Sequence, residues 1–256
     1  MKIAVCIKQV PDTTEGVKYN PDGTINRAAL ASVINPADKA AIEAALQIKE
    51  ACGAQVVLLT MGLMQAEDIL RYGLALGADE AVLLTDRRLA GADTLATSYS
   101  LAGAIRILSP DIVITGSCSS DGETSHVPAQ LSDILNIPVI SDAWEIEAAQ
   151  EQVQAKRKTS AGYQLVSAKL PCLISVGCEA YKARYMTPAG IFDAADAPIT
   201  VLGRDDLSTV SDDQIGFAGS YTKTETEYVE QKKTACRMIE AESPDEATQR
   251  ITEILS

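Results

Sequence analysis

The segment Gly116-Ser117-Cys118-Ser119-Ser120-Asp121-Gly122-Glu123-Thr124 is where this chain of 256 residues could hold a phosphate. Small residues run there into a helix start, where free backbone amides and the helix dipole would face an anion. Asp121 and Glu123 add negative charge beside it, unless they turn away and cap the helix. From the residues alone, a phosphate cradle and a plain loop-to-helix junction both stand. A second cluster is Asp93-Thr94-Leu95-Ala96-Thr97-Ser98. Thr94 and Thr97, three apart, share a face of the predicted helix, with Ser98 close by. Their hydroxyls could hydrogen-bond ribose or ribityl groups. Capping by Asp93 with exposed threonines is the plainer alternative.

Other chemistry is poorly served. The only histidine, His126, falls in the first turn of the helix after the loop, and no Ser/His/Asp set surrounds it. Cys6 reads as a small core residue rather than a nucleophile. No GxGxxG follows the first strand and no GxxxxGK[ST] occurs. The six cysteines form no CxxC pair, so no zinc or iron–sulfur site is expected, and they read as reduced thiols of a cytoplasmic protein. No catalytic residue of the chain's own is assigned.

These clusters need a frame, and strand–helix alternation supplies one. Lys2–Gln9 predicts a strand, and Pro21-Asp22-Gly23 the turn of a short hairpin. Asn35-Pro36-Ala37-Asp38 opens a helix, with Asn able to cap, Pro at the first helical position and Gly53 as the stop. Gln55–Met61, Glu80–Thr85 and Asp111–Thr115 predict strands; Met64–Leu76 and Thr94–Leu108 predict helices, and a further helix runs from the loop to Leu135. The expected fold is α/β, a doubly wound, mostly parallel Rossmann-like sheet whose ligands lie outside the strands' carboxyl ends. After Asp142, Gln152–Lys158, Gln164–Lys169 and Cys172–Val176 predict a small antiparallel meander. Ile199–Leu202 returns to the sheet. Residues 1–203 then form the ligand-binding domain. Residues 204–256, polar and closed by a helix with Ser243 and Glu246 in a capping box, form an extended C-terminal arm that packs on another subunit.

Composition agrees. Hydrophobic residues make up 46% and charged residues 22%, a globular balance, while aromatics at 4% leave a core of Ala, Val, Ile and Leu. A net charge of −13 speaks against nucleic acid and anionic membranes as partners. Apolar runs are too short to insert into a bilayer, and Met1–Val5 enters a strand at once, so no signal peptide is expected. Lys156-Arg157-Lys158 reads as a solvated sheet edge or as a face for an acidic partner.

Val5-Cys6-Ile7-Lys8-Gln9-Val10-Pro11-Asp12, Ile34-Asn35-Pro36-Ala37-Asp38 and Ala75-Leu76-Gly77-Ala78-Asp79-Glu80-Ala81 resemble electron-transfer flavoprotein beta subunits. So do Asp121-Gly122, Leu170-Pro171 and Arg184-Tyr185-Met186, in the same order over about residues 1–200. The resemblance implies a heterodimer with an alpha subunit that carries the electron-transferring FAD, and exchange with a flavin-dependent dehydrogenase or reductase. Most members bury AMP in the beta subunit. A second group buries FAD there, which takes a hydride from NADH and sends its electrons along separate routes, a flavin-based bifurcation. Asp86–Ser98 is similar to that group's motif, so FAD is expected, with AMP as the alternative and NAD(H) as a possible donor; NADH oxidation would then be the chain's only enzymatic part. Carried over residue by residue, the resemblance implicates Cys6, Asn35, Asp38, Met61, Asp93, Thr94 and Thr97. From the loop it implicates Gly116, Ser119, Ser120, Asp121, Gly122, Glu123 and Thr124.

The chain departs from that family at Ser117 and Cys118, where a cation and Gln are usual, at Pro128, where Gly is common, and at Lys158, where an acid is usual. Tyr181-Lys182-Ala183 replaces Asn-Glu-Pro in a segment similar to the partner-docking loop, which implies an unusual redox partner. A nucleotide-binding regulatory module is the competing function, although its late glycine-rich loop is missing. An adenylating enzyme would need an SGGxDS-like loop where Lys8-Gln9-Val10-Pro11 stands.

Overall fold

The structure, a computed structural model, describes residues 1–12, 31–222 and 238–255. The turn expected at Pro21-Asp22-Gly23 lies outside them. A nine-stranded sheet forms the centre, in the order β11-β5-β4-β1-β6-β10-β7-β8-β9. Its parallel part comprises β1 (Lys2–Cys6), β4 (Gln55–Met61), β5 (Glu80–Leu84), β6 (Ile112–Gly116), β10 (Cys172–Val176) and β11 (Ile199–Leu202), with the start of β7 (Val139–Ala148). β8 (Gln152–Thr159) and β9 (Gly162–Lys169) extend it as an antiparallel pair. The predicted doubly wound α/β sheet is therefore present.

Helices cover both faces because strands of small aliphatic residues are apolar on both. α1 (Pro36–Cys52) and α2 (Glu67–Leu76) pack with Ile3, Val5, Leu58 and Ile114 in one core layer. α3 (Thr94–Leu108) and α4 (His126–Leu135) flank Leu59, Leu84, Val113 and Leu173 in the other. Gly53 ends α1 at φ 71°, where a Cβ would be strained, and donates its N–H to Lys49.

Three local expectations are corrected, and one helix is added. The first strand stops at Cys6; Gln9–Pro11 is a separate strand, β2, paired antiparallel with β3 (Ser32–Ile34). Cys172–Val176 does not belong to the meander. It runs parallel between β6 and β7, since a short apolar run signals burial but not its neighbours. Lys156-Arg157-Lys158 is not at an edge, because β9 lies outside β8; Lys156 pairs with Glu145, and Lys158 lies over the Trp144 ring at 5.5 Å. A helix that the sequence reading lacks, α5 (Pro188–Asp196), packs on α2, where Arg71 donates to the carbonyls of Ala194 and Ala195.

The polar stretch after Gly203 has buried anchors. Leu207, Val210 and Ile215 sit in the α3/α4 core layer, carried by two 3-10 turns and the short α6 (Gly216–Gly219). The last helix, α7 (Pro244–Leu255), has half the expected capping box: Glu246 donates its N–H to Ser243 Oγ, but its carboxylate accepts from Glu242 rather than Ser243. Among the described residues no helix is long and apolar enough to cross a membrane.

Candidate functional site

The chain runs from β1 outward through β4 and β5, then returns to β6 on the other side of β1. That reversal opens a crevice at the β1/β6 carboxyl ends, where Cys6 and Thr115 are register partners. A cavity of about 410 Å³ lies there, within the roughly 300–1,000 Å³ of small-molecule sites. Its walls come from the end of β1 and the residues just after it (Cys6, Lys8), the β3–α1 junction (Asn35, Asp38), the end of β4 (Met61), the start of α3 and the loop into α4.

Asn35 was expected to cap α1. It makes no side-chain cap bond. Instead Nδ2 donates to the Cys118 carbonyl at 2.9 Å and Oδ1 accepts from the Ser120 amide at 3.1 Å, so a buried amide fixes the shape of the loop. Asp38, also buried, accepts from the Lys8 amide at 2.7 Å and from the Gly116 amide, joining the two strand ends that bound the crevice. Burial pushes its carboxyl up to about 7, against the lowering by hydrogen bonds from Asn35, Lys8 and Gly116. Gly116 is required by this approach: a Cβ there would stand 2.3 Å from Asp38 Oδ1 and 2.9 Å from Ala37 Cβ.

The loop's negative charge is answered within the chain. Lys8 Nζ contacts both Asp121 carboxylate oxygens at 2.8 Å. Burial raises the Asp121 carboxyl, but its bonds from Lys8 and Ser119 outweigh this and hold it below the usual range. Neither Asp121 nor Glu123 caps the helix. α4 begins without a side-chain cap, after Ser125 in the left-handed region at φ 54°. Its first residues, His126, Val127 and Pro128, line the cavity. Uncapped amides at a helix start that opens on a cavity suit an anionic group.

On the opposite wall Asp93 caps α3, with Oδ1 accepting from Leu95 and Ala96 at 3.0 Å. Its Oδ2 accepts from Tyr221 at 2.8 Å and Thr222 at 3.0 Å. Burial raises this carboxyl and the four amides together more than offset it. Asp93 lines the cavity with its acceptor sites already engaged. Thr94 and Thr97, half-buried, both face the cavity, so capping by Asp93 and threonines at the site occur together. Gln130 of α4 links Thr94 (3.3 Å) and Ser98 (3.0 Å). Burial pushes the Cys6 thiol up to about 12, an unreactive floor residue.

Of the sequence-derived candidates, Cys6, Asn35, Asp38, Met61, Asp93, Thr94, Thr97, Gly116, Ser119, Gly122 and Thr124 line the cavity; Ser120, Asp121 and Glu123 do not. The sequence reading missed Leu101, Thr115 and Val127. Thr115 could have been found from its place at the end of β6, one of the two strands of the switch point. The Thr115 hydroxyl is a buried oxygen without a partner, one of two such side-chain groups among the described residues and the only one on a residue that lines the cavity.

A doubly wound sheet with a polar-rimmed, apolar-floored crevice at its switch point defines the class of α/β proteins whose ligands lie across strand ends. Residues 22–207 match the electron transfer flavoprotein domain, and the chain belongs to that family. It is 42% identical over 229 residues to the acryloyl-CoA reductase electron transfer subunit gamma of Anaerotignum propionicum, covering 87% of this chain and 86% of that one. It is 42% identical over 226 residues to the caffeyl-CoA reductase-Etf complex subunit CarD of Acetobacterium woodii (87% and 86%). It is 39% identical over 241 residues to the electron transfer flavoprotein subunit beta of Clostridium acetobutylicum (94% and 92%). The match sets aside the regulatory-module and adenylating-enzyme readings.

Proposed function

We propose that the chain is the beta subunit of an electron-transfer flavoprotein, working as a heterodimer with a flavin-carrying alpha subunit, and that its crevice holds FAD, with AMP as the other possible occupant. The observation that carries this is the cavity at the β1/β6 switch point, walled by the first turns of α3 and α4. The α4 start, the Asn35-braced loop and the Lys8–Asp121 pair suit the phosphates; Thr94 and Thr97 suit ribose or ribityl hydroxyls. FAD is favoured because Asp86–Ser98 resembles the bifurcating group and two similar chains are named for reductase systems. FAD supplies a redox-active ring when bound, whereas AMP supplies none. The chain's own residues bind and orient the nucleotide and keep water from its buried side.

NADH is then the donor to the beta-site flavin, and a flavin-dependent reductase or dehydrogenase takes up electrons. Arg184-Tyr185-Met186, similar to the docking loop, leaves Tyr185 90% exposed, with Tyr181-Lys182-Ala183 setting a surface unlike the usual one. The test is to co-express the chain with its alpha subunit, extract the complex with acid and quantify flavin and AMP. Two flavins per heterodimer, reducible by NADH, are expected. One flavin plus AMP would leave a non-bifurcating carrier, and a colourless, ligand-free monomer would overturn the assignment.

A further inference from the structure

We propose that Ser220 is a positioning residue of the crevice: it touches no ligand, but it holds the Gly91–Asp93 turn from which α3 presents Thr94 and Thr97 to the bound nucleotide. This rests on the reading of the crevice as a nucleotide site. Ala92, Asp93, Thr94 and Thr97 line the cavity, and Ser220 does not. Ser220 is 5% exposed and lies 127 residues beyond Asp93, in the stretch that the sequence assigns to an outward-reaching arm.

Its Oγ accepts the Asp93 amide at 2.8 Å and has one proton to give, with the Gly216 carbonyl at 2.7 Å and the Gly91 carbonyl at 2.9 Å as acceptors. The next two residues continue the grip, since the Tyr221 and Thr222 amides donate to Asp93 Oδ2 while Oδ1 caps α3. Asp93 is therefore held at its amide and at its carboxylate by one short segment. The two stretches of backbone approach closely: a Cβ on Gly216 would stand 2.1 Å from the Arg88 carbonyl oxygen, and one on Gly91 would stand 3.2 Å from Phe217 Cβ. Ile215, 2% exposed, roots the segment in the core. Alanine at 220 leaves the Asp93 amide without its acceptor and frees the Gly91–Asp93 turn. A hydroxyl at the start of α3 binds a ligand only within the narrow distances and angles of a hydrogen bond. A looser cap thus weakens the ligand contact without removing any group that makes it.

Ser220→Ala in the full chain, purified with its alpha subunit and depleted of beta-site nucleotide, tests this by titration with AMP and with FAD. Both are expected to bind about tenfold more weakly than to wild type, the effect of one lost hydrogen bond to a part-buried amide. Amide hydrogen exchange adds a readout that a merely structural role leaves unmoved. In wild type, saturating AMP should slow the Tyr221 and Thr222 amides, and in Ser220→Ala that slowing should shrink. Wild-type affinity in Ser220→Ala, whatever its Tm, overturns the proposal. So does exchange at Tyr221 and Thr222 of wild type that ignores the nucleotide, a measurement that needs no variant and decides even if Ser220→Ala fails to assemble. A wild-type complex that binds neither AMP nor FAD brings down the site reading itself, and this proposal with it.

Discussion

Asp38 stands at the first helical turn of α1, where sequence reasoning sees a carboxylate placed for the helix dipole. Its work is done at longer range, since it accepts amides from the ends of β1 and β6. Asn35 makes the same point: a local capping pattern predicts a cap, yet the partners are Cys118 and Ser120, more than eighty residues away. Such residues are legible as polar and important, but not in their role, because their partners come from tertiary contacts. The Asp38 environment has a consequence for pH. The folded chain holds the Asp38 proton up to about 7, while the ordinary value is 3.8. As pH rises from about 4 to 7 the unfolded chain loses that proton and the folded chain keeps it, so this residue's contribution to stability falls across the window and is flat above it. Urea midpoints of wild type and Asp38→Asn, compared between pH 4 and 8, should show wild type losing ground to the variant as pH rises. A difference that stays constant would remove the effect.

Among the elements, the α1–loop contact shows how a helix sets a surface. Glu43, buried on α1, accepts from Arg184 Nε at 2.9 Å, from Nη2 at 3.0 Å and from the Arg184 amide at 3.1 Å, and Glu50 holds the other guanidinium nitrogen. Burial raises the Glu43 carboxyl, but the Arg184 bonds outweigh it and the net shift is downward. This contribution is therefore present above the usual glutamate range and lost as pH falls through the lowered value. Glu43→Gln should cost about 2 kcal/mol in chemical denaturation and speed amide hydrogen exchange in residues 181–186. Unchanged exchange there would mean that the loop holds its shape without α1. The elements themselves were largely legible, because buried strands and amphipathic helices differ in period and end at Gly53 and Gly77. β10 was misplaced and α5 missed. Five apolar residues cannot state which strand they lie beside, and α5 buries only Ala194, leaving little periodic signal.

On the scale of the whole molecule, burial separates two parts of the segment after Gly203. Residues up to Ser220 are anchored through Leu207, Val210 and Ile215, whereas α7 leaves Ile251 and Ile254 about half exposed, at 46% and 49%. Scattered apolar residues made that anchoring hard to read, since they flank two short 3-10 turns without a period. The apolar side of α7 fits a helix that completes itself on another subunit. A chain ended at Thr222 should keep the Tm and nucleotide uptake of the full chain but no longer co-elute with the alpha subunit in size-exclusion chromatography. Retained co-elution would place the contact elsewhere.

Asp93 closes α3 with one oxygen and grips Tyr221 and Thr222 with the other. The first turn of a wall helix and the place where the chain departs toward its last helix thus hang on a single side chain. On the proposed assignment, a partner that pulls on Tyr221 and Thr222 would load this wall of the crevice, and a ligand that stiffens the wall would steady those two residues in return. Under that assignment, assembly and ligand loading would be two ends of one lever.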